Sequence, residues 1–487
     1  MTIGSEYLYP SRSANFVAVV VIGLSACSFL VASMLTITDF AHETTLIMLI
    51  TAEAGIGIYC FINLWRRDGF LPILDIGITA LIAMLIYMIE PVSRMILADF
   101  RFTNLSSLQL ARLSPTANDI LPLVWRYFAF TAVFGITYLA FRKPGVPRKP
   151  LSENTAKSML RILLFIFIVM SVIMKLFEYK TGLSLDPTYD NSTGTNYEQF
   201  LGLPLLAQQL VSHFVAAFNI IRFGILLCLV SLWHNAKTKY IIYLVLIYMI
   251  IDNTLLMRQR TTLLLNCLAI IVAYHQFIRP IDIRKLLLIG IVLFLWFQIY
   301  GWVRGGGNFE DKISRLEEST DDTEFHSKAT EFQALFGGTY DLYNLTEVTG
   351  SNNPVPWYSP IFDLISLIPS QLLPFEKWDP DKWYCSNYSA WPGYFMFNPI
   401  CQSLVGFGWI ELLVRATLLA WIFARIRQWY LKRDGQFLPA LFYLWMTLTA
   451  FYSIRGSSFG FLTSVVQVFI PTLIMVKVVS VFFQRSN

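Results

Sequence analysis

From Tyr240 to Ile278 the chain is almost continuously apolar, interrupted only by Asp252, Asn253 and the cluster Met257-Arg258-Gln259-Arg260. A membrane-spanning helix needs about 20 residues, so the run is long enough for two passes and leaves almost no loop between them. Arg258 and Arg260 must then sit at the tip of a helical hairpin, at or just inside a membrane face. A charge at that depth costs roughly 2.5–3.5 kcal/mol unless an anion compensates it. The compensating anion is either an acidic side chain or a lipid phosphate.

The same pattern of long apolar runs recurs along all 487 residues, of which 55% are hydrophobic. Such runs define an all-α polytopic integral membrane protein. The first run is long enough to persist as a helix rather than act as a cleaved signal. Neither an internal repeat nor a low-complexity segment stands out. About twelve spans are expected, near 15–37, 44–65, 70–90, 121–141, 158–178, 207–233, 240–256, 261–278, 286–303, 400–426, 437–453 and 460–483. The chain accordingly divides into a set of nine spans over 1–303, a large connection over 304–399, and three spans over 400–487.

A net charge of +5 says little until it is distributed. Arg66-Arg67, Arg142-Lys143 with Arg148-Lys149, Lys237 with Lys239, Arg279 with Arg284-Lys285, and Arg427 with Lys432-Arg433 all follow even-numbered spans. By the positive-inside rule these connections, and both termini, are cytoplasmic. The outer connections are 91–120, 179–206 and 304–399. The last opens on a charged helical stretch, Asp311 to Gly337, whose Ile313, Leu316, Phe325, Phe332 and Leu335 can form one apolar face. Pro-punctuated amphipathic pieces such as 361–369 follow, and a long structured connection of this kind is usually functional.

The exceptions to the positive-inside rule carry the most information. Arg258, Arg260, Arg304 and Arg455 all fall on the outer side, from three separate connections. A planar guanidinium fork suits phosphate oxygens in a way an ammonium does not, so the set points to a converging anionic site. Each arginine taken alone is equally explained by an acidic neighbour such as Asp252, Glu310 or Asp311, or by snorkelling to the interface. Arg222, Arg126 and Arg415 lie inside apolar segments, and Arg222 could face either Asp252 or a substrate. Asp75, Glu53 and Glu411 are expected as helix-packing partners for such charges, and His213 as a satisfied polar group.

Much familiar chemistry is missing. The sequence has no His/Cys cluster at metal-ligand spacing and no phosphate-cradling Gly-rich loop. Neither a cofactor nor a metal is therefore expected, and nothing points to nucleic acid. Asp379-Pro380-Asp381 matches a loose metal-binding Asp-x-Asp pattern but is equally ordinary turn chemistry. The short connection holding Asp39, His42 and Glu43 is too small for the substrate-binding helices that some membrane glycosyltransferases carry there. Cys27, Cys60, Cys228 and Cys267 read as small apolar residues, while Cys385 and Cys401 are both outer and could pair.

Arg258-Gln-Arg260 leading into an apolar span, Arg304 closing the span before the large connection, Glu331-Phe332, Ser366 to Pro374, and Phe397-Asn398 running to Phe407-Gly408-Trp409 form a layout. That layout resembles bacterial O-antigen polymerases of the Wzy type, with motifs over roughly 240–425. Related O-antigen ligases carry His-Asn where this chain has Phe397-Asn398. The resemblance implies a GT-C-like enzyme of the bacterial inner membrane, with 304–399 as a partly helical periplasmic loop. It implies undecaprenyl-pyrophosphate-linked oligosaccharides as donor and acceptor, and a chain-length regulator of the Wzz type as a candidate partner.

In that reaction charge builds on the departing pyrophosphate, and preorganised cations supply the main acceleration. Arg258, Arg260, Arg304 and Arg455, with Arg222, are the candidate pyrophosphate-binding residues. A carboxylate or imidazole would accept the acceptor hydroxyl's proton; the candidates, in order, are Glu331, Asp341 and His326. Glu331 is also readily explained as a solvated position in a charge-rich segment. The rival expectations are an O-antigen ligase and, from another class, a flippase for the same lipid-linked sugars. A flippase should show short outer loops and two related halves.

Overall fold

A computed structural model gives the architecture. It describes residues 12–38, 41–68, 75–100, 114–145, 151–181, 205–233, 331–350, 355–368, 372–380 and 397–485, with Pro72, Trp383, Tyr384 and short stretches between 240 and 292, of which 269–275 is the longest. Among the described residues there are helices and turns but no strand, and eight helices are long and apolar enough to cross a membrane. The protein is an all-α, multi-pass membrane protein. The eight correspond to the expected spans 1 to 6, 11 and 12; the expected spans 7 to 9 fall largely outside the described residues.

The chain forms two compact units built from interleaved segments. Unit one comprises Met1–Val146, Ser319–Trp429 and Thr449–Leu462; unit two comprises Pro147–Glu318, Tyr430–Leu448 and Thr463–Asn487. Neither unit is a sequence half.

Unit one holds α1 (Arg12–Ile37), α2 (His42–Asp68), α3 (Ile76–Leu97) and α4 (Ala117–Phe141). From the large connection come α7 (Glu331–Tyr343), which runs on as a π-helical turn over Asn344–Val348, and the single-turn α8 (Phe362–Ile365). Next follow α9 (Pro399–Val405) and α10 (Trp409–Lys432), and the short α12 (Tyr452–Arg455). The helix α1 packs on α2, meets α4 through Phe29 on Phe128 at 5.4 Å, and presents Leu24, Leu30 and Met34 outward, the apolar face expected toward lipid. Close approach of α3 and α4 needs Gly77, since a Cβ there would collide with the Tyr138 ring.

Three differences from the sequence expectation have local causes. The third span begins later than residue 70, because Asp75 caps α3 by accepting from the Gly77 N–H at 3.1 Å. It runs past Pro91 to Leu97. The tenth span is not one helix. Gly408, at φ +62°, sits in the left-handed region and donates its N–H to Ser403 O at 2.9 Å, which ends α9 before α10 starts at Trp409. The Phe407-Gly408 pair of the motif is thus a helix break, with the Phe407 N–H held by Glu411 Oε2 at 2.8 Å.

The third difference concerns α7. Of its expected apolar face only Phe332 and Leu335 are described, and every residue from Leu335 to Tyr343 is buried. The helix packs against α3, α4 and α9 instead of lying on a surface. Gly337, Gly338 and Thr339 give it the slender middle that permits this. Phe332 meets Tyr87 edge-on at 5.2 Å and Phe336 stacks on Tyr127 at 5.7 Å.

The helices α4 and α10 run in the same direction, in contact at three levels. Arg126 lies against Trp409, Phe134 against Phe423, and Arg142 shares carboxylates with Arg427. That last contact is a buried four-charge cluster joining the ends of α2, α4 and α10 to the start of α3. Arg142 Nε reaches Asp75 Oδ2 at 3.0 Å and also pairs with Asp68; Arg427 reaches Asp68 at 3.1 Å and Asp75 at 2.7 Å. Tyr138 donates its hydroxyl to Asp75. Burial would raise the Asp75 carboxyl, but Arg142, Arg427 and Tyr138 outweigh it and hold it below the usual carboxylate range.

Unit two holds α5 (Glu153–Thr181), α6 (Leu205–Ser231), α11 (Phe437–Thr449), a π-helical turn over Val465–Phe469 that continues α13 (Gly460–Ser464), and α14 (Ile470–Arg485). The helices α10, α11 and α13 each cross the unit boundary in sequence. Phe167 stacks on Phe218 at 4.6 Å and Tyr430 on Tyr443 at 4.4 Å. His213 meets Gln467 at 3.2 Å, as expected of a satisfied polar group.

Candidate functional site

The described part of the large connection is not a solvated linker. Gln333, Thr339, Asp341, Ser359, Asp363 and Asn398 are buried in unit one, while Glu347, Glu376 and Asp379 are exposed; the polar contacts form three groups around α7, α9 and the start of α10.

The first group fixes α9. Asn398 Oδ1 caps the helix by accepting from the Cys401 N–H at 2.9 Å. Its amide donates to Thr339 Oγ1 at 2.9 Å and to the Tyr127 hydroxyl at 3.2 Å, tying α9 to α7 and α4. The buried Cys401 thiol lies 3.5 Å from the same Thr339 oxygen; Cys385, its expected partner, lies outside the described residues. Phe397 packs edge-on against Trp378 and Trp383. Two residues beyond Thr339 on α7, Asp341 is buried and accepts a hydrogen bond from the Tyr384 hydroxyl.

The second group is centred on Arg415. Its Nη1 donates to Asp363 Oδ2 at 2.6 Å and to Gln402 Oε1 at 3.0 Å, its Nε to Glu411 Oε1 at 2.6 Å, and its Nη2 to the Pro360 carbonyl at 2.8 Å. Ser457 donates to Asp363, and Gln402 Oε1 also accepts from the Ser458 N–H and hydroxyl. The guanidinium is thus bonded on every nitrogen. Burial raises the Asp363 carboxyl above its ordinary value, and Arg415 and Gln402 offset this only in part. This network joins α8, α9, α10 and the turn after α12, and its closure marks it as a structural clasp.

The third group is open. Arg126, on α4 and only 3% exposed, pairs through Nη2 with Glu347 of the π-helical turn and lies under the Trp409 ring, 4.8 Å from its centroid. Its Nε and Nη1 are buried and meet no hydrogen-bond acceptor among the described residues. Glu347 is 37% exposed, and no residue of its turn is buried.

Of the candidate proton acceptors, Asp341 is placed as above. Glu331 starts α7, with its side chain outside the described set, and His326 lies outside the described residues. Of the candidate phosphate-binding arginines, Arg258, Arg260 and Arg304 also lie outside the described residues. Arg455 is half-buried at the end of α12 in unit one, its guanidinium 6.0 Å from the Tyr452 ring; Arg222 is half-buried on α6 in unit two. Of the expected acidic packing partners, Asp75 and Glu411 do hold arginines, whereas Glu53 accepts from the Thr131 hydroxyl at 2.6 Å. Asp363 and Glu347 went unsingled in sequence, although an acid amid Ile361, Phe362, Leu364 and Ile365 was a signal for the first.

No family model, no curated protein and no solved structure matches this chain.

Proposed function

We propose that this protein is a membrane glycosyltransferase that polymerises undecaprenyl-pyrophosphate-linked oligosaccharide repeat units into a surface polysaccharide. The observation supporting this reading is the packing of α7, α8 and α9 into unit one with the buried carboxylates Asp341 and Asp363. A transporter has no need of a long connection folded onto one end of its helices; an enzyme working on lipid-borne substrates at a membrane face does. The clustered Asp68, Arg142 and Arg427 mark the opposite end of unit one, which in this reading is cytoplasmic.

In the proposed reaction a hydroxyl at the non-reducing end of one lipid-linked repeat unit attacks the anomeric carbon of the growing glycan. The bond from that carbon to the undecaprenyl pyrophosphate breaks, and the pyrophosphate leaves with the electron pair. The hydroxyl proton passes to a general base, with Glu331 the first candidate, Asp341 the second and His326 the third. Arg258, Arg260, Arg304 and Arg455, with Arg222, are proposed to hold the pyrophosphate, where preorganised positive charge stabilises the leaving group. A Wzz-type regulator is the proposed partner for chain length.

Purified protein in detergent, given lipid-linked repeat units alone, should produce a ladder of longer glycans. Folded protein that makes no ladder, yet moves the same lipid across vesicles, would overturn the assignment in favour of a flippase. Transfer of the glycan to lipid A alone would favour a ligase.

A further inference from the structure

We infer that Arg126 anchors a binding site for a lipid-borne phosphate, with Glu347 as the counter-ion that yields to it; only the identity of the lipid rests on the function proposed above. A guanidinium carries five N–H donors, and burying them is tolerable only when they are bonded. Among the described residues Arg126 makes one side-chain hydrogen bond, from Nη2 to Glu347, while buried Nε and Nη1 meet no acceptor. Arg415, equally buried and also paired with carboxylates, is bonded on all three nitrogens. The same fold therefore bonds every nitrogen of one buried arginine and leaves two nitrogens of the other, on its two edges, without an acceptor among the described residues. Both bidentate edges of the guanidinium include Nη2, so a phosphate that replaces Glu347 there can engage Nη2 together with Nε or Nη1.

The surroundings fit a lipid source. Arg126 lies about 14 Å along α4 from its first residue, at 1.5 Å per residue, close to the end bearing Glu347 and Trp409. Trp409, a residue type enriched at the membrane interface, is 43% exposed beside the strongly exposed apolar Phe407 and Ile410. The ring covers one face of the guanidinium and leaves its edges for an anion. Glu347 sits on an exposed π-helical turn, so it can swing to water without unpacking a buried side chain. While it stays paired, it competes with any other anion.

The test is lipid binding by purified full-length protein in detergent, read by native mass spectrometry with undecaprenyl pyrophosphate, phosphatidylglycerol or inorganic pyrophosphate. Lipid phosphate should bind the native protein. Glu347→Gln should bind it several-fold more tightly, because a competing carboxylate is gone. Arg126→Gln should lose roughly tenfold or more, about 1.4 kcal/mol, and Arg126→Lys should fall between, since the fork is lost but the charge kept. Affinities unchanged in both Glu347→Gln and Arg126→Gln would overturn the site. If Arg126→Gln fails to fold, Glu347→Gln alone decides, and affinity equal to or below that of the native protein overturns it. Arg126-dependent binding of undecaprenyl pyrophosphate over phosphatidylglycerol supports both the site and the polymerase reading. Equal binding of the two lipids supports the site and counts against that reading. Binding of inorganic pyrophosphate alone overturns the lipid source.

Discussion

Arg415 Nη1 donates to Asp363 Oδ2 at 2.6 Å, joining a helix of the C-terminal set to a single-turn helix inside the large connection. The two partners are not equivalent. Arg415 is the one buried cation in its network, facing both Asp363 and Glu411. Removing it leaves two buried carboxylates uncompensated. Arg415→Met should therefore destabilise unit one by about 3–5 kcal/mol, read as a lowered thermal midpoint in detergent at fixed scan rate. Asp363→Asn keeps the shape and the Ser457 and Gln402 contacts while relieving a desolvation cost, so its midpoint should stay close to that of the native protein. Equal losses in the two variants would mean that the ion pair itself is the main contribution.

The two buried charge networks should also respond to pH in opposite directions. Asp363 is held above the ordinary carboxyl range by burial, and Asp75 below it by Arg142 and Arg427 despite burial. A carboxyl whose folded pKa is raised contributes stability that is full below its unfolded pKa of about 4. That contribution is lost as pH rises through the folded value. A carboxyl whose folded pKa is lowered contributes stability that is full above about 4 and is lost as pH falls. Asp363→Asn should thus gain on the native protein as pH rises from about 4 toward 7. The deficit of Asp75→Asn should instead shrink as pH drops below about 4. Parallel pH profiles of the two variants would refute the assignment of opposite shifts.

What could be read ahead of the structure follows from periodicity and charge. Apolar length located eight spanning helices, and a positive residue after each even span foretold that Arg142 and Arg427 would share one end of unit one. Asp75 and Glu411 were recognisable as arginine partners because an acid in an apolar run has few other roles. The burial of α7 was not recognisable. Its slender Gly337-Gly338-Thr339 middle matters only against α3, α4 and α9, and its buried acid, Asp341, accepts from Tyr384 far along the chain. Nor could the break at Gly406 to Gly408 be seen, because hydrophobicity runs through it; only the left-handed Gly408 and the Glu411 cap on Phe407 end the helix.

Asn398 holds two roles that substitutions can separate. It caps α9 through Oδ1 and ties α9 to Thr339 and Tyr127 through its amide. Asn398→Asp retains the cap acceptor and loses the donor; Asn398→Ala loses both. The cap is worth about 0.5–2 kcal/mol, and a buried acceptor left unmade costs about 1–3 kcal/mol. Asn398→Ala should lower the thermal midpoint. If the tie to α7 matters more than the cap, Asn398→Asp should lower it at least as far. An Asp variant indistinguishable from the native protein would assign the whole effect to the cap.

The proposed chemistry separates from these packing roles by what each variant loses. Arg258→Ala and Arg304→Ala should abolish polymer while leaving expression and thermal midpoint normal, because the groups are proposed to act on the leaving pyrophosphate. Lysine at either position should recover only part of the activity, since a point charge replaces a bidentate fork. Glu331→Gln should cut turnover by roughly 10²–10⁴-fold if it accepts the hydroxyl proton, with little change in lipid affinity. Arg415→Met, by contrast, should lose activity only in step with folded protein. Wild-type chain lengths from Arg258→Ala or Arg304→Ala would remove that arginine from the mechanism. Full turnover in Glu331→Gln would send the proton to another acceptor, with Asp341, buried on the same helix as Glu331, the next to be replaced.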